Sequence, residues 1–138
     1  MRIVQLIYGL ILIMFTACGS LGPTAETHVS SLKGIWTLQY EKNSQLGLSN
    51  EPVTLSFDQN SPSEIGGFSG CNLYGGNYTY SGDGMIKFSE IFSTKRACPD
   101  LDIENKFFEL MNSVNRFEVK GNDLYLYKDK LLLMHFEK

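Results

Sequence analysis

The chain is poor in the residues that most readily carry chemistry: its 138 residues include two histidines, three cysteines, one tryptophan and four prolines. No Cys-x-x-Cys pair occurs, which excludes a thioredoxin-like redox motif. A structural zinc site needs about four ligands at recognisable spacing. Two lone cysteines with His28 and His135 far away in sequence do not supply them, so neither a metal nor a cofactor is expected. Basic clusters are missing too. Lys95-Arg96 is the only adjacent basic pair and the formal net charge is −3, so no electrostatic footprint for nucleic acid is present. Repeats longer than a hairpin are absent, and a single legible helix is too few for parallel βαβ units. What remains is ordinary globular composition, 43% apolar and 20% charged, which excludes a disordered, collagen-like or polytopic membrane protein.

The apolar residues concentrate at the N-terminus. Arg2 precedes an uncharged stretch over residues 3–15 (IVQLIYGLILIMF), followed by Thr16, Ala17 and Cys18. This order gives a short basic region, an apolar region and small residues at a cleavage site. About fifteen helical residues reach only about 22 Å against a hydrocarbon core of about 30 Å, so a signal peptide is the better reading than a span. Gly19, Ser20, Gly22, Pro23 and Thr24 follow with linker composition. Phe15-Thr16-Ala17-Cys18 resembles the lipobox of a bacterial lipoprotein signal peptide. The resemblance implies cleavage before Cys18 and acyl chains on its mature N-terminus. Each buried methylene contributes about 0.8 kcal/mol, so two or more chains anchor stably. Removing 17 of 138 residues leaves 121, and losing Arg2 takes the net charge from −3 to −4. Gly19 in place of aspartate after Cys18 implies, by the same resemblance, an outer-membrane anchor facing the periplasm. Residues 18–31 then read as lipidated cysteine and flexible tether, with His28 solvated, and residues 32–138 as the domain.

With Cys18 lipidated, Cys71 and Cys98 remain as an even pair, 27 residues apart. A disulfide between them is allowed in an oxidising periplasm. Two buried thiols acting as small hydrophobes are the alternative.

Within the domain, Trp36, Leu38 and Tyr40 alternate with Ile35, Thr37 and Gln39, the pattern of a half-buried strand. Val53, Leu55 and Phe57 repeat the pattern, and Asn60-Ser61-Pro62-Ser63 ends it. Residues 64–78 hold five glycines, which predicts tight turns, bulges or close backbone approach rather than a long regular strand. Ser81-Gly82-Asp83-Gly84 reads as a hairpin turn into residues 85–88. Pro99-Asp100 begins a helix whose apolar stripe is Ile103, Phe107, Leu110, Met111 and Val114, with Glu104, Lys106 and Glu109 pointing elsewhere. Three further strands follow, separated by turns at Gly121-Asn122 and Lys128-Asp129-Lys130. The expected class is α+β, mostly antiparallel β, a curled sheet or open barrel with one helix that plugs or covers it.

Gly34-x-Trp36, Gly70-Cys71-Asn72, Gly75, Tyr78, Thr94-x-x-Ala97-Cys98 and a helix with Glu104 and Phe107, in that order, resemble the META domain family, which includes the HslJ-like bacterial proteins. The most specific pieces are Gly-Cys-Asn and Thr-x-x-Ala-Cys at their separation. The resemblance implies a small β domain with a helix, common in lipoproteins and secreted proteins and associated with heat response, novobiocin resistance or motility. It brings no defined catalytic activity.

The remaining candidates for chemistry weigh lightly. Gly70 to Gly75 has the glycine spacing of a P-loop but is followed by Gly76-Asn77 rather than Lys and Ser or Thr. Ser69 sits one residue short of a Gly-x-Ser-x-Gly elbow. Asp100, Asp102 and Glu104 suit a helix N-terminus and lack the glycine and distal glutamate of an EF-hand. His135 falls on the face of Leu131 and Leu133 and reads as a packed histidine. Lys95 and Arg96 are the candidate contacts for an anionic ligand, against the reading of a solvated pair. The alternating Tyr78/Tyr80 and Tyr125/Tyr127 cover a sheet face or mark a recognition surface. The function expected is therefore that of a lipid-anchored, non-enzymatic envelope protein that binds a partner or supports the envelope under stress. The alternative is an inhibitor of a secreted or envelope hydrolase, acting through a rigid loop over residues 66–76.

Overall fold

The computed structural model describes residues 27–39, 51–58, 60–99 and 101–138. The expected signal peptide, lipobox and Cys18 lie outside these residues, as do Tyr40 and most of the loop before Pro52. Among the described residues no helix is long and apolar enough to cross a membrane.

Eight antiparallel strands form one sheet: β1 (Gly34–Leu38), β2 (Thr54–Phe57), β3 (Glu64–Phe68), β4 (Leu73–Tyr80), β5 (Ile86–Ser93), β6 (Arg116–Lys120), β7 (Asp123–Lys128) and β8 (Leu131–Glu137). Their order across the sheet is β5-β4-β3-β2-β1-β8-β7-β6. The sheet is strongly curled and does not close into a barrel. Its two edges touch at one end, where Met85 bridges Arg116 and the Phe117 N–H donates to Gly84 O at 2.8 Å. The α+β expectation is met. One helix, α1 (Leu101–Ser113), runs between β5 and β6 and buries Phe107, Leu110 and Met111 in the core.

The period-two pattern decides which residues meet there. Trp36, Leu38, Val53, Leu55 and Phe57 are buried, as are Leu124 and Leu126, while Ile35 is exposed. Full burial of one such side chain contributes about 1.5–3 kcal/mol. The indole N–H of Trp36 donates to Leu32 O at 2.6 Å, satisfying the one polar atom of the largest core residue. Leu32 ends a 3-10 turn, Val29–Leu32, capped by His28. The Tyr80 hydroxyl donates to Thr27 O at 3.1 Å. Residues 27–31 are thus held on the domain, and His28 caps the turn while remaining exposed.

The glycine-rich stretch forms the β3–β4 hairpin and carries the expected features: a tight turn at Gly70 and an irregularity between Gly75 and Asn77. Its glycines also allow the expected close approach: a Cβ on Gly67 would lie 2.1 Å from Thr54 O, and one on Gly75 would lie 2.6 Å from the Phe92 ring. Two expectations need correction. Glu104 does not point away with Lys106 and Glu109 but is buried. The last strand does not keep a simple alternation, because β8 carries a bulge, with Leu126 opposite Met134 and Tyr127 opposite Leu132. Leu133 and Met134 are both buried as a result, and His135 is turned to the outer face beside Tyr125.

The Phe92 ring over Gly75 gives a testable consequence. Gly→Ala at a compatible site stabilises by about 0.4–1 kcal/mol through the unfolded state. Gly75→Ala should show that gain only in a Phe92→Ala background. With Phe92 present the clash should remove it, as read from urea midpoints. A full gain in the wild-type background would mean that the ring does not sit where described.

Candidate functional site

The residues of the Gly-Cys-Asn and Thr-x-x-Ala-Cys motifs come together around the turn between β3 and β4. Gly70 has φ +94°, a left-handed conformation that suits glycine. It reverses the chain so that the Ser69 N–H donates to Asn72 O at 2.9 Å. Asn72 is 1% exposed and all its polar groups are engaged. Its amide oxygen accepts from Thr94 Oγ1 at 2.9 Å and from the Arg96 N–H at 2.7 Å. Its Nδ2 donates to Glu104 Oε1 at 3.1 Å and to Arg96 O at 3.4 Å, and its backbone N–H donates to Glu104 Oε2 at 3.0 Å.

Glu104 reaches this turn from the first turn of α1. Its Oε2 also accepts the Ser69 hydroxyl in a short hydrogen bond. A carboxylate 5% exposed is costly to bury unless its lone pairs are met. Here Ser69 and two groups of Asn72 meet them. Cys71 and Cys98 are joined by a disulfide that ties this turn to the segment leading into α1. The allowed pairing is therefore the actual one. Beneath the turn, Tyr74 and Phe107 pack edge-on with centroids 5.3 Å apart. The Tyr74 hydroxyl donates to Thr54 O at 2.8 Å, and burial pushes its phenol pKa up, out of reach of ordinary acid–base work.

Chemically this assembly is a clasp. Its polar atoms face one another and the backbone, and its elements are the β3–β4 turn, the strand exit after β5 and the start of α1. Trp36, Gly75 and Tyr78 stand apart from it. Trp36 is a core residue with the Lys138 ammonium 4.2 Å from its ring centre, and Tyr78 packs edge-on against Phe57 at 5.2 Å. Ala97, Lys95 and Arg96 are exposed. Arg96 lines a small open cleft of about 220 Å³ beside the disulfide, together with Glu51, and Lys95 lies outside that lining. That cleft does not bring the two candidate ligand contacts together.

Sequence reasoning missed Ser69 as a member of the clasp, and it singled out Glu104 through the family resemblance while placing it off the buried face of the helix. A signal for Glu104 was available. It stands three and seven residues before Phe107 and Met111, on the buried side of the helix.

The sequence profile of the META domain family matches residues 30–138. The chain belongs to the META domain family. The match spans both clasp motifs and every strand, and membership supports an envelope-type protein. None of the curated proteins matches the chain. Among solved structures the META domain is similar to an NMR structure of a protein from Burkholderia xenovorans, at 24% identity and a TM-score of 0.63, covering 79% of this chain and 84% of that one. It is also similar to a crystal structure of a DUF4847 family protein from Bacteroides vulgatus, at 15% identity and a TM-score of 0.57, covering 77% and 92%. At these identities the likeness shows the fold alone.

Proposed function

We propose that this chain is a lipid-anchored protein of the bacterial envelope, held to the outer membrane through Cys18, whose META domain acts by binding in an envelope-stress or antibiotic-tolerance role and catalyses no reaction. The observation that carries this reading is the clasp. The polar residues that define the family in this sequence are engaged with one another and with backbone, which supports an architectural role for them rather than a reactive one. The outer face offers recognition chemistry in their place. Ile35, Ser56, Gly66, Gly75 and Phe92 are successive cross-strand neighbours over five strands. Ile35 and Phe92 are 65% and 70% exposed at the two ends of that row, with small residues between them.

The hydrolase-inhibitor reading rests on residues 66–76 projecting as a rigid loop. They form a hairpin inside the sheet whose turn, at Ser69 and Asn72, is buried, so nothing in the fold favours it.

The anchor is tested by mass and by fractionation. Intact mass of the mature protein should show diacyl or triacyl mass on Cys18 at the new N-terminus, and Cys18→Ala should release the domain from membranes. Unchanged membrane retention of Cys18→Ala would refute the anchor.

A further inference from the structure

The geometry points to a divalent metal site, of a kind suited to zinc, on the outer face between β7 and β8, formed by Asp123, His135 and Glu137. The pairing of these strands builds it. Asp123 lies directly opposite Glu137, and His135 lies directly opposite Tyr125 one step along the same face. One imidazole nitrogen and one oxygen from each carboxylate all lie within 4.8 Å of one another.

Two carboxylates directly opposite each other on antiparallel strands are destabilising unless a cation offsets them. The flanking lysines point elsewhere. Lys120, the cross-strand partner of Asp123, has its ammonium 3.1 Å from Glu118. Lys138, next in sequence to Glu137, holds its ammonium 4.2 Å from the Trp36 ring centre. Among the described residues, His135 faces the pair. Its Nε2 lies 2.7 Å from Asp123 Oδ1, and because a carboxylate oxygen only accepts, the imidazole donates. A metal ion takes the place of that proton. The Tyr125 ring stacks on the imidazole, with centroids 4.6 Å apart and planes 7° apart, and fixes its orientation.

The donor set names the metal class. One imidazole with two carboxylates is a nitrogen–oxygen set that suits zinc and disfavours soft copper(I), which prefers sulfur. Bonds of about 2.0–2.2 Å around a tetrahedral ion place donors about 3.4 Å apart, and rotation of the exposed Glu137 closes the set. Water completes the coordination. Sequence spacing hides such a site, because 12 residues separate Asp123 from His135 and only the hairpin joins them.

The test is titration of metal-stripped, untagged full-length protein in detergent with zinc chloride, followed by calorimetry. One zinc per chain is expected. His135→Gln and Glu137→Gln should each weaken binding by more than about tenfold, with circular dichroism confirming an unchanged fold. His28→Ala should leave binding as in the wild type. Cobalt(II) in place of zinc should give a visible spectrum without thiolate charge-transfer bands, separating this site from one with a cysteine ligand. No saturable binding at 100 micromolar-order free zinc, or equal binding by His135→Gln, would overturn the assignment.

Discussion

Replacing Glu104 with alanine is expected to lower the unfolding free energy of the domain by about 3–5 kcal/mol. The side chain is buried, and its loss strands the Asn72 N–H and one of the two Asn72 Nδ2 hydrogens in a place water does not reach, leaving the Ser69 hydroxyl only Asn72 O. Each unsatisfied buried donor costs about 1–3 kcal/mol, and a cavity is added on top. Glu104→Gln should cost less, about 1–2 kcal/mol, because its carbonyl still accepts from Asn72 N–H and Ser69 while its amide opposes the donor on Asn72 Nδ2. Urea unfolding reads both, with the midpoint moving and the slope unchanged. A loss below about 1 kcal/mol for Glu104→Ala would mean that the carboxylate is not an integral part of the clasp.

Opening the disulfide is expected to cost about 3–4 kcal/mol, from the chain entropy of a loop whose ends are 27 residues apart. The loop spans β4 and β5, so its closure restricts the part of the unfolded chain that must form the left side of the sheet order. At a few degrees per kcal/mol for a domain of this size, the melting temperature should fall by about 10–15 °C in the Cys71→Ala/Cys98→Ala protein. Reduced wild type should fall similarly, since the two thiols left behind are small. A midpoint unchanged on reduction would show that the bridge adds nothing to the stability of the fold.

Much of this fold is legible in the sequence because one physical rule governs it. Strand by strand, alternation set Trp36 and Leu38, then Val53, Leu55 and Phe57, on one face, and the structure buries them. The rule fails where registry changes. Leu133 and Met134 are both buried because β8 bulges, and that shift carries His135 to the outer face. The glycines were legible in kind but not in place. The tight turn falls at Gly70, the irregularity between Gly75 and Asn77, and the close approach at Gly67 and Gly75, where a side chain would strike Thr54 or Phe92. The clasp was half legible. Gly70, Cys71, Asn72, Thr94 and Cys98 stood out together, but what Asn72 is for depends on Glu104, 32 residues away and reached only through the fold. Long-range polar pairing has no period, so hydrophobic pattern does not reveal it.

The clasp as one cooperative unit is tested most directly by a double-mutant cycle on Asn72 and Glu104. Asn72→Ala, Glu104→Ala and the double variant are unfolded in urea alongside the wild type. Each single substitution should strand the partner it leaves behind, so the double variant should be more stable than the sum of the singles implies, by about 1–3 kcal/mol. Additivity within about 0.5 kcal/mol would contradict a clasp and leave Asn72 and Glu104 as independent neighbours.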